Sequence, residues 1–143
     1  MRRDKPVAEY KERDRILRGI GFKDYRDYLA SSTWAKIRTA KLKRVPACEI
    51  CHDMAIQVHH RTYSALNLLG HSNEGLLSVC RSCHWMLEFR PGGIKRTMAE
   101  AVKAVGRLMS QHRRSIRGFA ASVLYSEPKG VDAEFKARLE REN

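Results

Sequence analysis

Two Cys-x-x-Cys motifs constrain the folding of this chain more than any other feature of its sequence. The first is Cys48–Cys51 (CEIC) and the second is Cys80–Cys83 (CRSC). Each motif presents two sulfurs around a tight turn, and four thiolates at this spacing suit the tetrahedral coordination of zinc. We favour zinc over disulfides because the cytosol keeps thiols reduced. The sequence therefore predicts a structural Zn²⁺ ion held by Cys48, Cys51, Cys80 and Cys83.

The segment between the two motifs carries a histidine doublet, His59-His60, and a third histidine, His84, directly follows the second motif. Adjacent residues on a strand point to opposite faces, so the two members of the doublet can have different roles. One imidazole can bind a divalent ion together with His84 while the other accepts a proton from water. Imidazole suits both tasks because its ordinary pKa lies near neutrality. The pattern favours a metal-assisted hydrolytic site.

The excess of positive charge indicates a polyanionic partner. The 143 residues include 28 Lys and Arg against 16 Asp and Glu, which gives a formal net charge of +12 at pH 7. Nucleic acid is the first expectation and an acidic membrane surface is the second. The alternative is that the basic residues only keep a small protein soluble.

The sequence shows no apolar run of transmembrane length and no leader-like start. We therefore expect a soluble, cytoplasmic protein without a membrane partner. The length suits one domain with appended helices.

Three helices are expected before the first cysteine motif. One follows Pro6 and ends near Gly19, and a second runs from an Asp24 cap to Leu29. A third runs from about Trp34 to Arg44 behind a Ser31 or Ser32 cap. The inward side of the second helix is predicted to carry Tyr25, Tyr28 and Leu29.

The segment around the motifs is predicted to form a small α+β core. Strands are expected at Ala55–His59 and Leu76–Val79, with a loop over residues 61–75 between them. A helix then begins at Cys80 and ends at Pro91-Gly92-Gly93.

The rest of the chain is predicted to be helical. Thr97 and Glu100 form a capping box, and Val131–Arg141 suits a final short helix. An apolar stripe follows the capping box and comprises Met98, Ala101, Val102, Val105, Leu108 and Met109. Core packing is the preferred interpretation of this stripe. A homodimer seam through this amphipathic helix is the alternative.

The run YLASSTWAKIRTAKLKR, followed by CEIC, IQVHHRTY and LLSVCRSCH, resembles an HNH endonuclease of the zinc-stapled kind. The resemblance covers residues 25–89 and its motifs fall in the family's order. It implies a ββα-metal core with helices on both sides and the hydrolysis of DNA phosphodiester bonds. The implied divisions are an N-terminal extension (1–23), a nuclease domain (24–90) and a C-terminal extension (91–143).

The resemblance also implies roles for the three histidines. His59 and His84 correspond to the ligands of a catalytic divalent ion (Mg²⁺, Mn²⁺, Ni²⁺ or Zn²⁺), and His60 corresponds to the general base. The asparagine that gives the family its middle letter falls at Gly75, so its role is lost, moves to Asn73 or passes to backbone carbonyls.

Basic residues near these motifs are candidates for contact with phosphate. Arg61 follows the doublet and can bond two oxygens with its fork, with a plain surface arginine as the alternative. Arg38 and Lys41 lie on a strongly basic helix, where either a phosphate-facing or a solvated role fits. Glu88, one turn after His84, is interpreted as exposed, with a place beside the metal as the alternative.

A second function class also fits these features. A zinc-stapled nucleic-acid-binding or adaptor module with weak or no catalysis would need only the four cysteines to fold.

Overall fold

The computed structural model of the protein describes residues 7–125, which fold as a mixed α+β structure. Within them the chain forms α1 (Val7–Gly19), α2 (Tyr25–Ala30), α3 (Ser32–Arg44), β1 (Gln57–His60), α4 (Ala65–Leu68), β2 (Leu76–Val79), α5 (Arg81–Glu88), β3 (Phe89–Arg90), β4 (Ile94–Lys95) and α6 (Met98–Tyr125). No helix in this part of the chain is both long and apolar enough to cross a bilayer. The final helix expected at Val131–Arg141 lies outside the described residues.

The chain divides into two compact units, Met1–Met109 and Ser110–Asn143. The first unit contains both cysteine motifs and all three histidines of interest. In the second unit, the described residues continue helix α6. The three-part division at residues 23 and 90 stays a prediction, although Ala104 and Val105 pack in the same core cluster as the cysteines.

The central hairpin is formed by β1 and β2, which pair antiparallel with Gln57 opposite Val79 and His60 opposite Leu76. Strand β2 has the expected bounds, whereas β1 begins two residues later than expected and includes His60. The connection expected to be a loop contains the short helix α4, which Ser64 caps by accepting a hydrogen bond from the Asn67 amide. Helix α5 follows β2 directly, so two strands and a helix place the candidate site residues.

Two apolar clusters flank this hairpin. One surrounds the cysteines and includes Ile50, Leu77, Leu87 and Val105. The other joins α1, α2, α3 and the opposite side of the hairpin. Its buried members are Leu17, Tyr28, Trp34, Val58, Leu68 and Leu76. The hairpin thus has one side on the four cysteines and the other on an aromatic core.

The expected helix caps are confirmed. The Asp24 carboxylate accepts from the Asp27 amide at 2.9 Å, and the Ser31 hydroxyl accepts from the Trp34 amide at 3.2 Å. Thr97 and Glu100 form the reciprocal capping box, with distances of 3.2 and 2.9 Å.

Two predicted inward positions are wrong. Leu29 and Val102 are exposed, because each lies at the edge of its helix's apolar face. Ala104, which the predicted stripe omitted, is buried instead. The stripe packs in the core of its own chain through Ala101, Val105, Leu108 and Met109. Its use as a dimer seam stays a prediction.

The segment after α5 forms an unexpected hairpin. Gly92 and Gly93 have φ angles of 84° and 76°, the left-handed conformation that glycine adopts without steric cost. This turn reverses the chain between Phe89–Arg90 and Ile94–Lys95. The Pro-Gly-Gly sequence was predicted only to end the helix, and it also brings Lys95 back towards α5.

Candidate metal centre and histidine site

The four cysteines form a cluster that can hold a metal ion. Their sulfur atoms all lie within 4.8 Å of one another, and Cys51 Sγ lies 3.6 Å from Cys80 Sγ. Sulfurs bound tetrahedrally at a Zn–S distance near 2.3 Å would be about 3.8 Å apart. Cys48 and Cys83 are buried, whereas Cys51 and Cys80 are partly exposed. The prediction that the four cysteines lie together is confirmed.

Backbone hydrogen bonds fix both cysteine turns. The Cys48 amide donates to Asp53 O at 2.6 Å, and the His52 amide donates to Cys48 O at 2.9 Å. His52 has a φ of 67°, which closes this first turn. In the second turn, Cys80 caps α5 and its sulfur accepts from the Cys83 amide at 3.4 Å.

The thiols differ in their readiness to lose a proton. Burial opposes ionisation of Cys48, but backbone amides, including that of Cys51, outweigh it and lower its pKa. Burial raises the pKa of Cys51 to about 11 and also raises that of Cys83. A metal that binds all four sulfurs must therefore displace protons, so its affinity will depend on pH.

A second group that can hold a metal ion comprises His59, His84 and Glu88, whose potential ligand atoms also lie within 4.8 Å of one another. Glu88 Oε1 lies 3.2 Å from His59 Nδ1 and 3.9 Å from His84 Nε2. Strand β1 supplies His59, and successive turns of α5 supply the other two residues. The pairing of His59 with His84 agrees with the sequence analysis.

Glu88 has a larger part in this group than the sequence analysis gave it. It is not a freely exposed glutamate, because its other oxygen accepts from Lys95 Nζ at 2.7 Å. Burial opposes its ionisation, but hydrogen bonds from His59 and Lys95 prevail and lower its pKa to about 2. The signal available in the sequence was the spacing of four residues between His84 and Glu88, which places both on one helix face.

His60 lies in an aromatic environment, unlike its neighbour. Its ring is tilted over Trp34 with the centroids 4.6 Å apart and stacks on Tyr63 at 5.3 Å. Its Nδ1 atom lies 3.4 Å from the Tyr25 hydroxyl, and its Nε2 atom is buried without a hydrogen-bond partner. Only 6% of the residue is exposed. Burial, assisted by the nearby His59, lowers the pKa of His60 to about 4, so the imidazole is neutral at pH 7.

One cavity of about 320 Å³ connects the two histidine environments. His59, His60, His84 and Glu88 all contribute to its wall. The cavity is also lined by the basic residues Arg13, Arg61, Lys95 and Arg96. The three predicted histidines therefore do share a cleft.

The region around Gly75 explains how the chain manages without a side chain there. A Cβ atom at Gly75 would lie 2.8 Å from Asn67 Cγ and would overlap the Asn67 amide nitrogen and the Thr62 methyl group. The Asn67 amide group is buried, and its Oδ1 accepts from the Gly75 amide at 3.3 Å. Asn67, which the sequence analysis did not single out, thus occupies the space next to Gly75.

Asn73, the other candidate near Gly75, faces a different residue. With its amide oriented so that the oxygen accepts, both terminal nitrogens of Arg44 lie 3.1 Å away. A backbone hydrogen bond also joins the two ends of the segment between β1 and β2: the Arg61 amide donates to Gly75 O at 2.7 Å. This bond holds the two ends of the connection together directly after His60.

The three basic residues proposed to contact phosphate have different surroundings. Lys41 is only 5% exposed and pairs with Glu49 at 2.9 Å, so its charge serves the interior and not the surface. Arg38 is partly exposed and donates to Ile56 O at 2.6 Å. Arg61 is exposed at the cavity and stays the best placed of the three.

Comparison of the chain with protein-family models, with curated proteins and with solved structures gave no match in any of the three.

Proposed function

We propose that the protein is a metal-dependent endonuclease that hydrolyses phosphodiester bonds in DNA. In this proposal β1, β2 and α5 form a ββα-metal core of the HNH type. The observation that carries the proposal is the convergence of His59, His84 and Glu88 at a cavity that His60 also lines. The net charge of +12 supports an anionic polymer as the substrate.

The cysteine cluster would bind Zn²⁺ as a structural ion. The 3.6 Å separation of two of its sulfurs fits tetrahedral zinc, and two of the four thiols are fully within the core. Zinc bound there would fix the start of α5 relative to the hairpin. It would thereby set the distance between His59 and His84.

A second, divalent ion would be held by His59 Nδ1, His84 Nε2 and Glu88 Oε1. These atoms suit Mn²⁺, Ni²⁺ or Zn²⁺, and Mg²⁺ would rely more on the carboxylate and water. Burial lowers the pKa of His84, against the charge of Glu88, and the neutral ring can then donate its lone pair. When bound, such an ion neutralises negative charge on a phosphate.

The chain's own groups would perform the proton transfer and hold the substrate. In hydrolysis the water oxygen bonds to phosphorus, the bond from phosphorus to the 3′-oxygen breaks, and the proton of the water passes to neutral His60. The departing 3′-oxygen takes a proton from solvent, so the products are a 5′-phosphate and a 3′-hydroxyl. Arg61, exposed beside the cavity, would bind a phosphate oxygen.

A specific observation favours a second candidate, a nucleic-acid-binding module without catalysis. The Nε2 atom of His60 is buried, and aromatic rings pack around the imidazole. Water must reach a ring nitrogen for His60 to act as a base. If it never does, His60 is a core residue and the chain only binds.

Cleavage of supercoiled plasmid by the zinc-loaded protein tests the proposal. The protein is incubated with Mg²⁺, Mn²⁺, Ni²⁺ or Zn²⁺ in turn and with a chelator. We expect nicking with at least one ion and none with the chelator. His60→Gln should retain metal binding while cleavage falls by about 10²–10⁴-fold, the usual contribution of a general base.

The control variants separate chemistry from folding. His84→Ala and Glu88→Gln should lose binding of the second ion, whereas His71→Ala, in an exposed loop position, should cleave normally. Plasmid and single-stranded DNA that both stay uncut with every ion, although folded wild-type protein binds them, would establish the binding-module alternative.

A further inference from the structure

An aromatic pair projects from the end of α5 beside the histidine site. Trp85 and Phe89 lie one helical turn apart, with ring centroids 4.1 Å apart and planes at 28°. Trp85 directly follows His84 in the chain, and Phe89 lines the same cavity as His59 and His84. The pair therefore reaches the cavity of the proposed reaction site through Phe89.

Trp85 exposes a large apolar surface that the described part of the chain leaves open. The residue is 56% exposed, whereas the other tryptophan, Trp34, is 7% exposed. Because Phe89 covers one face of the indole, the exposed area belongs largely to the other face and the edge. The pair is held by a helix end, so little side-chain freedom is lost when another ring stacks on it.

The charges around the pair favour an anionic occupant. Between residues 81 and 96 the chain has four basic residues, Arg81, Arg90, Lys95 and Arg96, and one acidic residue, Glu88. Two of these cations are already paired, Lys95 with Glu88 and Arg90 with Glu100, whereas Arg81 and Arg96 form no ion pair within the described residues. Lys95 Nζ also lies 5.5 Å from the Phe89 ring centroid, over the ring. Arg81 lies one helical turn before Trp85 on the same face of α5, and a flat aromatic face beside an unpaired cation matches a nucleobase attached to a phosphate backbone.

We infer that Trp85, supported by Phe89, is a stacking site for one unpaired nucleobase of the nucleic acid. The bases of an intact duplex cover one another's faces, so the site selects DNA with an unpaired nucleotide close to the phosphate at the histidine site. Single strands, flaps and frayed ends have this property. The inference rests on the proposed function and defines its substrate class.

Binding of the full-length, zinc-loaded protein to a 12-nucleotide oligo(dT) and to a blunt duplex tests the inference, with no other divalent ion added. We expect oligo(dT) to quench the emission of the exposed tryptophan. Trp85→Leu should abolish this quenching and weaken oligo(dT) binding by about fivefold or more, the usual effect of removing one stacked base contact. Duplex affinity should be unchanged, because backbone charges determine it.

Two further variants test stacking itself. Trp85→Phe keeps an aromatic face and should retain most of the oligo(dT) affinity. Met54→Ala removes an exposed apolar side chain from the segment between α3 and β1 and should change nothing. Equal losses on oligo(dT) and duplex, or wild-type affinity of Trp85→Leu for oligo(dT), would overturn the inference. It would also be overturned if Trp85→Leu abolished self-association in sedimentation and left oligo(dT) binding unaltered.

The two proposals can fail separately. Quenching by oligo(dT) without cleavage of either plasmid or single-stranded DNA under any ion would argue against the nuclease and leave the stacking site. Cleavage without quenching would remove the stacking site and leave the nuclease.

Discussion

His59 and His60 are neighbours on one strand, yet their side chains have different chemical environments. His59 lies beside the carboxylate of Glu88, whereas His60 lies among Trp34, Tyr25 and Tyr63. The alternation of a strand is the cause, since adjacent side chains leave it in opposite directions. The carboxylate of Glu88 therefore neighbours the imidazole of His59, whereas aromatic burial keeps the imidazole of His60 neutral.

The titration of His60 should reveal this burial. We expect its imidazole to titrate near pH 4, well below the ordinary value of about 6.5, because burial and the adjacent His59 both disfavour the proton. A metal ion at His59 would lower the pKa further. NMR of the Hε1 resonances against pH measures it, with His60→Gln identifying the signal. A midpoint above pH 6 would contradict the aromatic environment.

The same shift makes stability depend on pH. The folded pKa is below the unfolded one, so the unfolded chain takes up the proton first as the pH falls. Stability is therefore lost between about pH 6.5 and pH 4, by about 3 kcal/mol at most. The unfolding free energy of wild type relative to His60→Gln should fall across this interval. A constant difference would show that the folded state accepts the proton freely.

The close contact between Gly75 and Asn67 predicts that a side chain at residue 75 destabilises the protein. Gly75→Ala should destabilise the protein by about 1–3 kcal/mol, because the new methyl overlaps buried, hydrogen-bonded Asn67. The cost should be smaller in an Asn67→Ala background, although Thr62 still contributes. Urea denaturation of the four combinations gives the coupling.

Gly106→Ala is the matched control for this substitution. A Cβ at Gly106 meets nothing within 4 Å, and the residue is inside α6. The change should therefore stabilise the helix by up to about 1 kcal/mol. Additive effects of Gly75→Ala and Asn67→Ala would show that the two positions do not share space.

At the scale of elements, short sequence motifs correctly predicted the features that depend mainly on neighbouring residues. The caps at Asp24, Ser31 and Thr97, strand β2 and the clustering of the cysteines follow from short-range rules, and all were found. The short helix α4 and the β3–β4 hairpin were missed. Both lie in segments rich in turn residues, where tertiary contacts choose among several allowed conformations.

The site was predicted as far as spacing could determine it. The grouping of His59 with His84 depends on strand and helix periodicity, which a sequence displays. The engagement of Glu88 by Lys95 depends on the hairpin that returns the chain to α5. Likewise, the burial of Lys41 depends on Glu49, a residue of the first cysteine turn. Such long-range pairings have no local signature.

The Lys41–Glu49 pair joins α3 to the first cysteine turn, and its loss should be costly. Glu49 also accepts from the Ser78 amide at 2.7 Å, so it links α3 with β2 as well. Lys41→Ala should lower the unfolding free energy by about 3 kcal/mol, since it leaves a partly buried carboxylate without its cation. Lys36→Ala, exposed on the same helix, should change it by less than about 0.5 kcal/mol. Chemical denaturation compares them, and equal effects would contradict a structural role for Lys41.

The proposed zinc ion should likewise stabilise the fold, because it would join the two cysteine turns. Structural zinc sites contribute about 10–16 kcal/mol of apparent binding energy, comparable to the whole stability of a domain. Removal of zinc with a chelator should therefore abolish the cooperative thermal transition seen by circular dichroism. Cys83→Ser should have the same effect without a chelator, because Cys83 is buried in the cluster. An unchanged melting curve after zinc removal would exclude a structural metal.

Over the whole molecule, positive charge is abundant but unequally available. Some of it is consumed internally, as the pairs Lys41–Glu49, Lys95–Glu88 and Arg90–Glu100 illustrate. Phosphate contacts must come from side chains that face solvent. Net charge alone therefore cannot identify the binding surface, and the position of each basic residue has to be tested separately.

The salt dependence of DNA binding can show which basic residues contact phosphate. Each phosphate contact contributes about −0.9 to the slope of log affinity against log salt concentration on duplex DNA. Arg61 is exposed at the cavity, so Arg61→Ala should reduce the magnitude of the slope by about 1. Lys41→Met removes the same formal charge from a buried position and should leave the slope as in wild type. Fluorescence anisotropy over a series of NaCl concentrations measures both, and an equal change in the two variants would mean that net charge, not the cavity lining, determines where DNA binds.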